Sequence, residues 1–208
     1  MSEHPMSLLE YVNAPRHPSA LDKSAVVLID AQVEYVTGKL PLHGVDAAIA
    51  ESAELLALAR RRGTPVFHVV QHGRPGGALF DPDGPAVAIV PALFPIAGEE
   101  VIVKKLPSAF AGTDLHRLAQ GVGRQELILA GFMTHNCVSS TARAALDLGY
   151  RVTVVAAATA TRDIPSPLDG GALAAETVQR ASLAALADRI AIVVPSAAAI
   201  AAAPAPVS

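Results

Sequence analysis

Short apolar runs and longer stretches of helical periodicity take turns along the chain. The run AVVLID (25–30) is followed by GVDAAIAESAELLALARRRG (44–63), where Ile49, Ala53, Leu56 and Arg60 recur at helical spacing and Gly63 supplies a stop signal. PVFHVVQ (65–71), EVIVKK (100–105), QELILAGF (125–132), RVTVVAAA (151–158) and IAIVVP (190–195) repeat the apolar run. Further helical patterns occupy GTDLHRLAQGVG (112–123), with Thr113 or Asp114 as its cap, NCVSSTARAALDLG (136–149) and GGALAAETVQRASLAALADR (170–189). The apolar runs are continuous in Val, Ile and Leu rather than alternating, which is the pattern of strands buried on both faces. Strands of this kind joined by helices predict a three-layer α/β/α fold around one six-stranded parallel sheet. Pro75, Gly76, Gly77, Pro82, Gly84 and Pro85 make 72–99 a long loop.

Composition narrows the classes. A chain of 208 residues predicts one domain over 1–208, with its core at about 21–195, an N-terminal arm and an Ala/Pro-rich tail, PSAAAIAAAPAPVS, whose last residues fray. No apolar run reaches the roughly eighteen residues of a membrane span. MSEHPMSLLEYVNAPRHPSA lacks the basic start and apolar middle of a secretory leader. The only cysteine, Cys137, can form no internal disulfide, which fits a reducing cytoplasm. A net charge of −3 without a long basic run argues against nucleic acid or anionic membrane as partners. Alanine-rich helices and the apolar tail predict self-association, as a homodimer or homotetramer.

In parallel α/β folds ligands bind at the carboxyl ends of the strands. Asp30 ends the first strand, Lys104 ends the third, and Cys137 stands between the fourth strand and a helix. Each has a plainer role: a turn-forming aspartate, a solvated lysine, a small core cysteine. Together on one edge they offer an acid, a cation and a thiol. A helix start and a nearby ammonium both favour thiolate, so the junction should make Cys137 acidic and accessible. Unpaired N–H groups at the helix start could hold an oxyanion.

These residues sit in segments that resemble the isochorismatase-like cysteine hydrolases: VVLIDAQVEY with Asp30, Gln32 and Tyr35; VIVKKLPSAFAGTDL with Lys104, Ser108, Phe110 and Gly112; and LAGFMTHNCVSSTARAALDLGYRVTVVAAATATRD. The resemblance runs over about 21–195. It implies the sheet order 3-2-1-4-5-6, with Asp30 as general acid/base, Lys104 rather than Lys105 as catalytic lysine, and Cys137 as nucleophile. It implies a non-proline cis peptide between Phe132 and Met133, and the Met133 and Cys137 N–H groups as oxyanion donors. Gln32, Tyr35, His72 and Phe110 are candidate pocket residues, and the loop 72–99 the part that shapes specificity. The implied order leaves Lys104 two strand spacings, about 10 Å, from Asp30.

Two departures set the expected chemistry. Nicotinamidases carry an Asp-x-His metal motif with a further His after the second strand, whereas HVVQHGRPGGALFDPDG has none, so no metal and no other cofactor is expected. True isochorismatases cleave a vinyl ether without a nucleophilic cysteine, so Cys137 favours hydrolysis of a small amide or ureido compound through a thioester. Vinyl-ether hydrolysis and a non-catalytic scaffold remain as alternatives. His68 reads as a core or interface histidine, and His4, His17, His43 and His116 as surface. The side chain of His135 faces either substrate or away, and Arg143 reads as a buried salt-bridge partner.

Overall fold

The computed structural model describes residues 5–202; the expected fraying of the tail and the placement of His4 fall outside them. A six-stranded parallel sheet is built from β1 (Ser24–Ile29), β2 (Val66–Gln71), β3 (Glu100–Lys104), β4 (Glu126–Phe132), β5 (Arg151–Ala160) and β8 (Ile192–Val194). Their order is β3-β2-β1-β4-β5-β8. This is the predicted order, with β8 as the sixth sheet strand because β6 (Ile164–Pro165) and β7 (Ala172–Leu173) form a separate hairpin.

Strand β1 is buried at every position, and its side chains alternate between two cores. Val26 and Leu28 join the core under α2 (Val45–Arg62) and α6 (Ala197–Ala201), while Ala25, Val27 and Ile29 join the core under α3 (Leu115–Gly121), α4 (Ser139–Asp147) and α5 (Ala175–Arg189). The period of two along a strand thus feeds both faces, which is why the run is apolar throughout. A short α1 (Leu8–Tyr11) lies in the N-terminal arm, capped by Ser7.

Several boundaries differ from the sequence reading; α3 and β8 are shorter than their patterns, and three differences bear on the site. The last long helix starts at Ala175, not at Gly170, because the Gly-Gly pair is a poor helix start and the Asp163 carboxylate caps the Ala175 N–H at 2.8 Å. Strand β5 runs on to Ala160, past a register shift against β4 between Leu129 and Gly131. Cys137 does not open an α-helix; it lies in a π-helical turn, Thr134–Val138, that feeds α4. No described helix is long and apolar enough to cross a membrane.

Gly131 sits at the shift with φ +112°, and a Cβ built there would lie 2.0 Å from the Ile29 carbonyl oxygen. Only glycine lets β4 pass β1 this closely, one residue before Asp30.

Candidate active site

Ile29 is the last residue of β1, and Asp30 leaves the strand with φ +51°, a left-handed conformation that aspartate tolerates. Its N–H still bonds to the Val69 carbonyl at 2.8 Å, so the turn stays fixed to β2. On β3, Ile102 and Lys104 face inward while Val101 and Val103 are exposed. Lys104 is therefore drawn into the interior by strand alternation. Its ammonium lies 2.8 Å from Asp30 Oδ2, 2.7 Å from Gln71 Oε1 and 3.3 Å from Cys137 Sγ. An ammonium has three N–H donors, and three partners surround this one.

The sequence therefore brings together all three expected groups. Asp30 and Lys104 are almost wholly excluded from solvent, and Cys137 is 4% exposed. The π-helical turn is tied down at both ends: the Asn136 and Val138 N–H groups donate to the Met133 carbonyl, and Thr134 Oγ1 donates to the Ala160 carbonyl. The peptide between Phe132 and Met133 is cis. Among the described residues the Met133 N–H finds no backbone or side-chain acceptor.

The electrostatics reverse one expectation. Burial pushes the Cys137 thiol up to about 12, the Asp30 carboxylate adds to this, and Lys104 only partly offsets it. Burial also raises Asp30 to about 6, against the pull of Lys104. At neutral pH Cys137 thus rests as a thiol beside an ionised Asp30 carboxylate. The junction makes Cys137 reachable, but desolvation outweighs the cation, so the thiol is not acidic at rest. The Asp30 carboxylate faces the Lys104 ammonium at 2.8 Å and the Cys137 thiol, and both offset part of the effect of its burial.

A cavity of about 360 Å³ opens onto this centre, and of the three groups Cys137 lines it. Tyr35, Leu40, Leu79, Phe80, Leu106 and Met133 form apolar walls, while Gln71, Lys105, Asn136 and Arg162 supply polar ones. Buried Glu34 shapes one wall, its carboxylate accepting from the Lys39 N–H at 2.6 Å and the Phe80 N–H at 3.2 Å. A larger depression of about 830 Å³ lies along β3 and α3 but contains none of the reactive groups. Among the described residues no group of three His, Cys, Asp or Glu side chains is placed to share a metal ion.

Tyr35 lines the cavity as expected, edge-on to Phe80 and Phe132. Three other expected pocket residues do not. Gln32 is fully buried and spends its amide on the backbone of Gln71 and Val87. Phe110 stacks on Tyr150 at 5.8 Å in the core on the other face. His72 is outside the cavity lining, and its N–H bonds to the Lys104 carbonyl. His135 turns away to Thr161 Oγ1 at 2.6 Å. His68 is a core histidine, bonded to Glu99 at 2.8 Å, whereas His116 is half-buried against Tyr150 rather than at the surface. Arg143 is exposed and, among the described residues, its side chain reaches only Ser139 Oγ at 3.4 Å, because its position on α4 faces outward. Sequence reasoning passed over Gln71 and Arg162, although both stand at carboxyl ends of strands, where the binding rule points.

Fold and site together define a three-layer α/β/α protein with a buried Asp–Lys–Cys centre, and comparison with known proteins gives its family. The Isochorismatase domain model matches residues 24–198. The chain belongs to the isochorismatase family of hydrolases. An isochorismatase of Pseudomonas putida KT2440 is 42% identical, with a TM-score of 0.89 over 94% of this chain and 99% of that one. The secreted isochorismatase effector Isc1 of Verticillium dahliae is 35% identical over 88% of this chain and 93% of its own length. A maleamate amidohydrolase of Pseudomonas putida is 36% identical over 64% of this chain and 70% of its own.

Proposed function

We propose that the protein is a metal-independent cysteine hydrolase that cleaves a C–N bond, amide or ureido, in a small molecule. One observation carries this reading: the Lys104 ammonium touches both Asp30 and Cys137, and of these three Cys137 opens to the cavity. Such an arrangement suits a thiol that must be deprotonated only when substrate is present. As Sγ attacks the carbonyl carbon, its proton passes to Asp30, and Lys104 stabilises the negative charge that moves through the site. The Met133 and Cys137 N–H groups are assigned to the developing oxyanion. Asp30 then protonates the leaving nitrogen, the C–N bond breaks, and an amine or ammonia departs from a thioester. Asp30 next takes a proton from water, the resulting hydroxide opens the thioester, and the thiol recovers its proton as the acid leaves.

The walls suggest the rest of the substrate. Lys105 and Arg162 line a cavity that is otherwise largely apolar. A compact amide with an anionic group at the far end suits both features, and amide cleavage is the activity named for the maleamate amidohydrolase relative. The chemistry needs Cys137 reduced, which a cytoplasmic setting preserves. Self-association is proposed with it, because Val101 and Val103 on the edge strand, with Phe94, Ile96 and Leu106, leave large apolar side chains exposed. A monomer by sedimentation at micromolar concentration would reject that part.

A panel of small amides and ureides, half of them carboxylated, assayed for ammonia or amine release tests the main reading. Turnover is expected among the carboxylated members and in the presence of EDTA. Cleavage of vinyl ethers alone, or turnover that EDTA abolishes and a divalent metal restores, would overturn it.

A further inference from the structure

Gln71 is unusually well held for a residue at the end of a strand. Its backbone N–H donates to Gln32 Oε1 at 2.9 Å, and its carbonyl accepts from Gln32 Nε2 at 3.0 Å. Strand β1 has ended by then, so the Gln32 side-chain amide takes the place of a neighbouring strand's peptide group. Gln32 Nε2 also donates to the Val87 carbonyl at 2.7 Å, and Gln32 is wholly buried. The side chain of Gln71 is held as well. Its Nε2 donates to the His72 carbonyl at 3.1 Å, which fixes the amide so that Oε1 faces Lys104 Nζ at 2.7 Å.

We propose that Gln71 is a positioning residue: its clamped amide oxygen holds the Lys104 ammonium where it can serve Asp30 and Cys137 at once. The proposal rests on the reading of this centre as catalytic. An ammonium with only two anchors would be free to swing wholly to its strongest partner, the Asp30 carboxylate. The third anchor opposes that motion, because Gln71 lies on β2 and draws the ammonium back along the sheet edge towards its own strand. A neutral acceptor does so without adding a negative charge that would disfavour thiolate. This gives Gln32 a purpose as well, as the group that keeps Gln71 in register.

The test needs no substrate. The second-order rate of Cys137 alkylation by iodoacetamide is followed against pH by intact mass in the parent, Gln71→Leu, Lys104→Met and the double variant, with thermal melts alongside. Losing a hydrogen bond to a charged group predicts about tenfold slower alkylation or more in Gln71→Leu, with its rate–pH profile displaced to higher pH. In the Lys104→Met background the same substitution should change nothing further, since Gln71 acts through the ammonium. Equal slowing in both backgrounds would mean a merely structural role and overturn the proposal. A parental rate–pH profile in Gln71→Leu, with Lys104→Met slow, would overturn the proposal alone. Parental rates in both single variants would overturn the catalytic reading along with it.

Discussion

Lys104 Nζ lies 2.8 Å from Asp30 Oδ2 although a whole strand separates the two strands that carry them. The gap of two strand spacings is closed from both sides. The lysine passes the end of β2, where it meets Gln71, and Asp30 turns out of line with β1 through its positive φ. Both partners are buried, so neither tolerates the loss of the other.

Lys104→Met leaves a buried carboxylate alone. Breaking a buried pair in this way costs about 3–5 kcal/mol. The cost depends on pH in a defined direction. Asp30 already has a folded value raised to about 6, so its contribution to stability is full below its unfolded value and is lost as pH rises through 6. Without Lys104 the folded value climbs higher and that loss extends to higher pH. Urea denaturation should therefore show a deficit relative to the parent that is small in acid and grows through neutrality.

Asp30→Asn should keep the shape and, on the proposed mechanism, remove the proton carrier. A turn-forming aspartate would hardly notice this change, whereas loss of general acid–base chemistry costs about 10²–10⁴-fold or more when one group serves both half-reactions. In the parent, kcat/KM should rise with pH through about 6, as the carboxylate ionises. Turnover by Asp30→Asn close to the parent's would make Asp30 structural.

Cys137→Ala should abolish turnover and leave the fold. The sulfur packs against the core on the α4 side, so a small loss of about 1 kcal/mol is expected from melts. Intact mass of a quenched reaction should show an acyl adduct on the parent and none on the variant. Equal turnover by the two proteins would eliminate the covalent route.

Glu99 joins three segments away from the site. It accepts from Arg60 and from His68, both at 2.8 Å, and from the Ile96 N–H at 3.1 Å. Burial works to raise its pKa, but these donors outweigh that and hold it at about 2. Its stabilisation is thus present above the ordinary glutamate value and is lost as pH falls towards 2. Glu99→Gln should lower stability by about 2 kcal/mol at neutral pH, with the difference shrinking in acid denaturation.

The sheet was legible because burial on both faces forces apolar runs, and the cluster of Asp30, Lys104 and Cys137 because the strand-end rule picks out all three. Pocket walls were less legible. Gln32 and Phe110 lie in segments that resemble the family, yet nothing local says that one amide bonds to a neighbouring backbone and the other ring stacks on Tyr150. Those partners are distant in sequence and adjacent only in space. The state of the thiol was misjudged for a similar reason. Spacing shows the helix and the lysine, but the depth of burial, which dominates, belongs to the folded interior.

The close pass at Gly131 sets a limit on how this enzyme can be altered. A single methyl there would strike the Ile29 carbonyl and wedge β1 from β4, the two strands that lead into Asp30 and Cys137. The floor of the site therefore has no spare room for evolution or engineering to use. The freedom lies above it, in the walls around Leu79, Phe80, Lys105 and Leu106, which can change size and charge without moving Asp30 or Cys137. New substrates would be won by redecorating those walls over an unchanged floor.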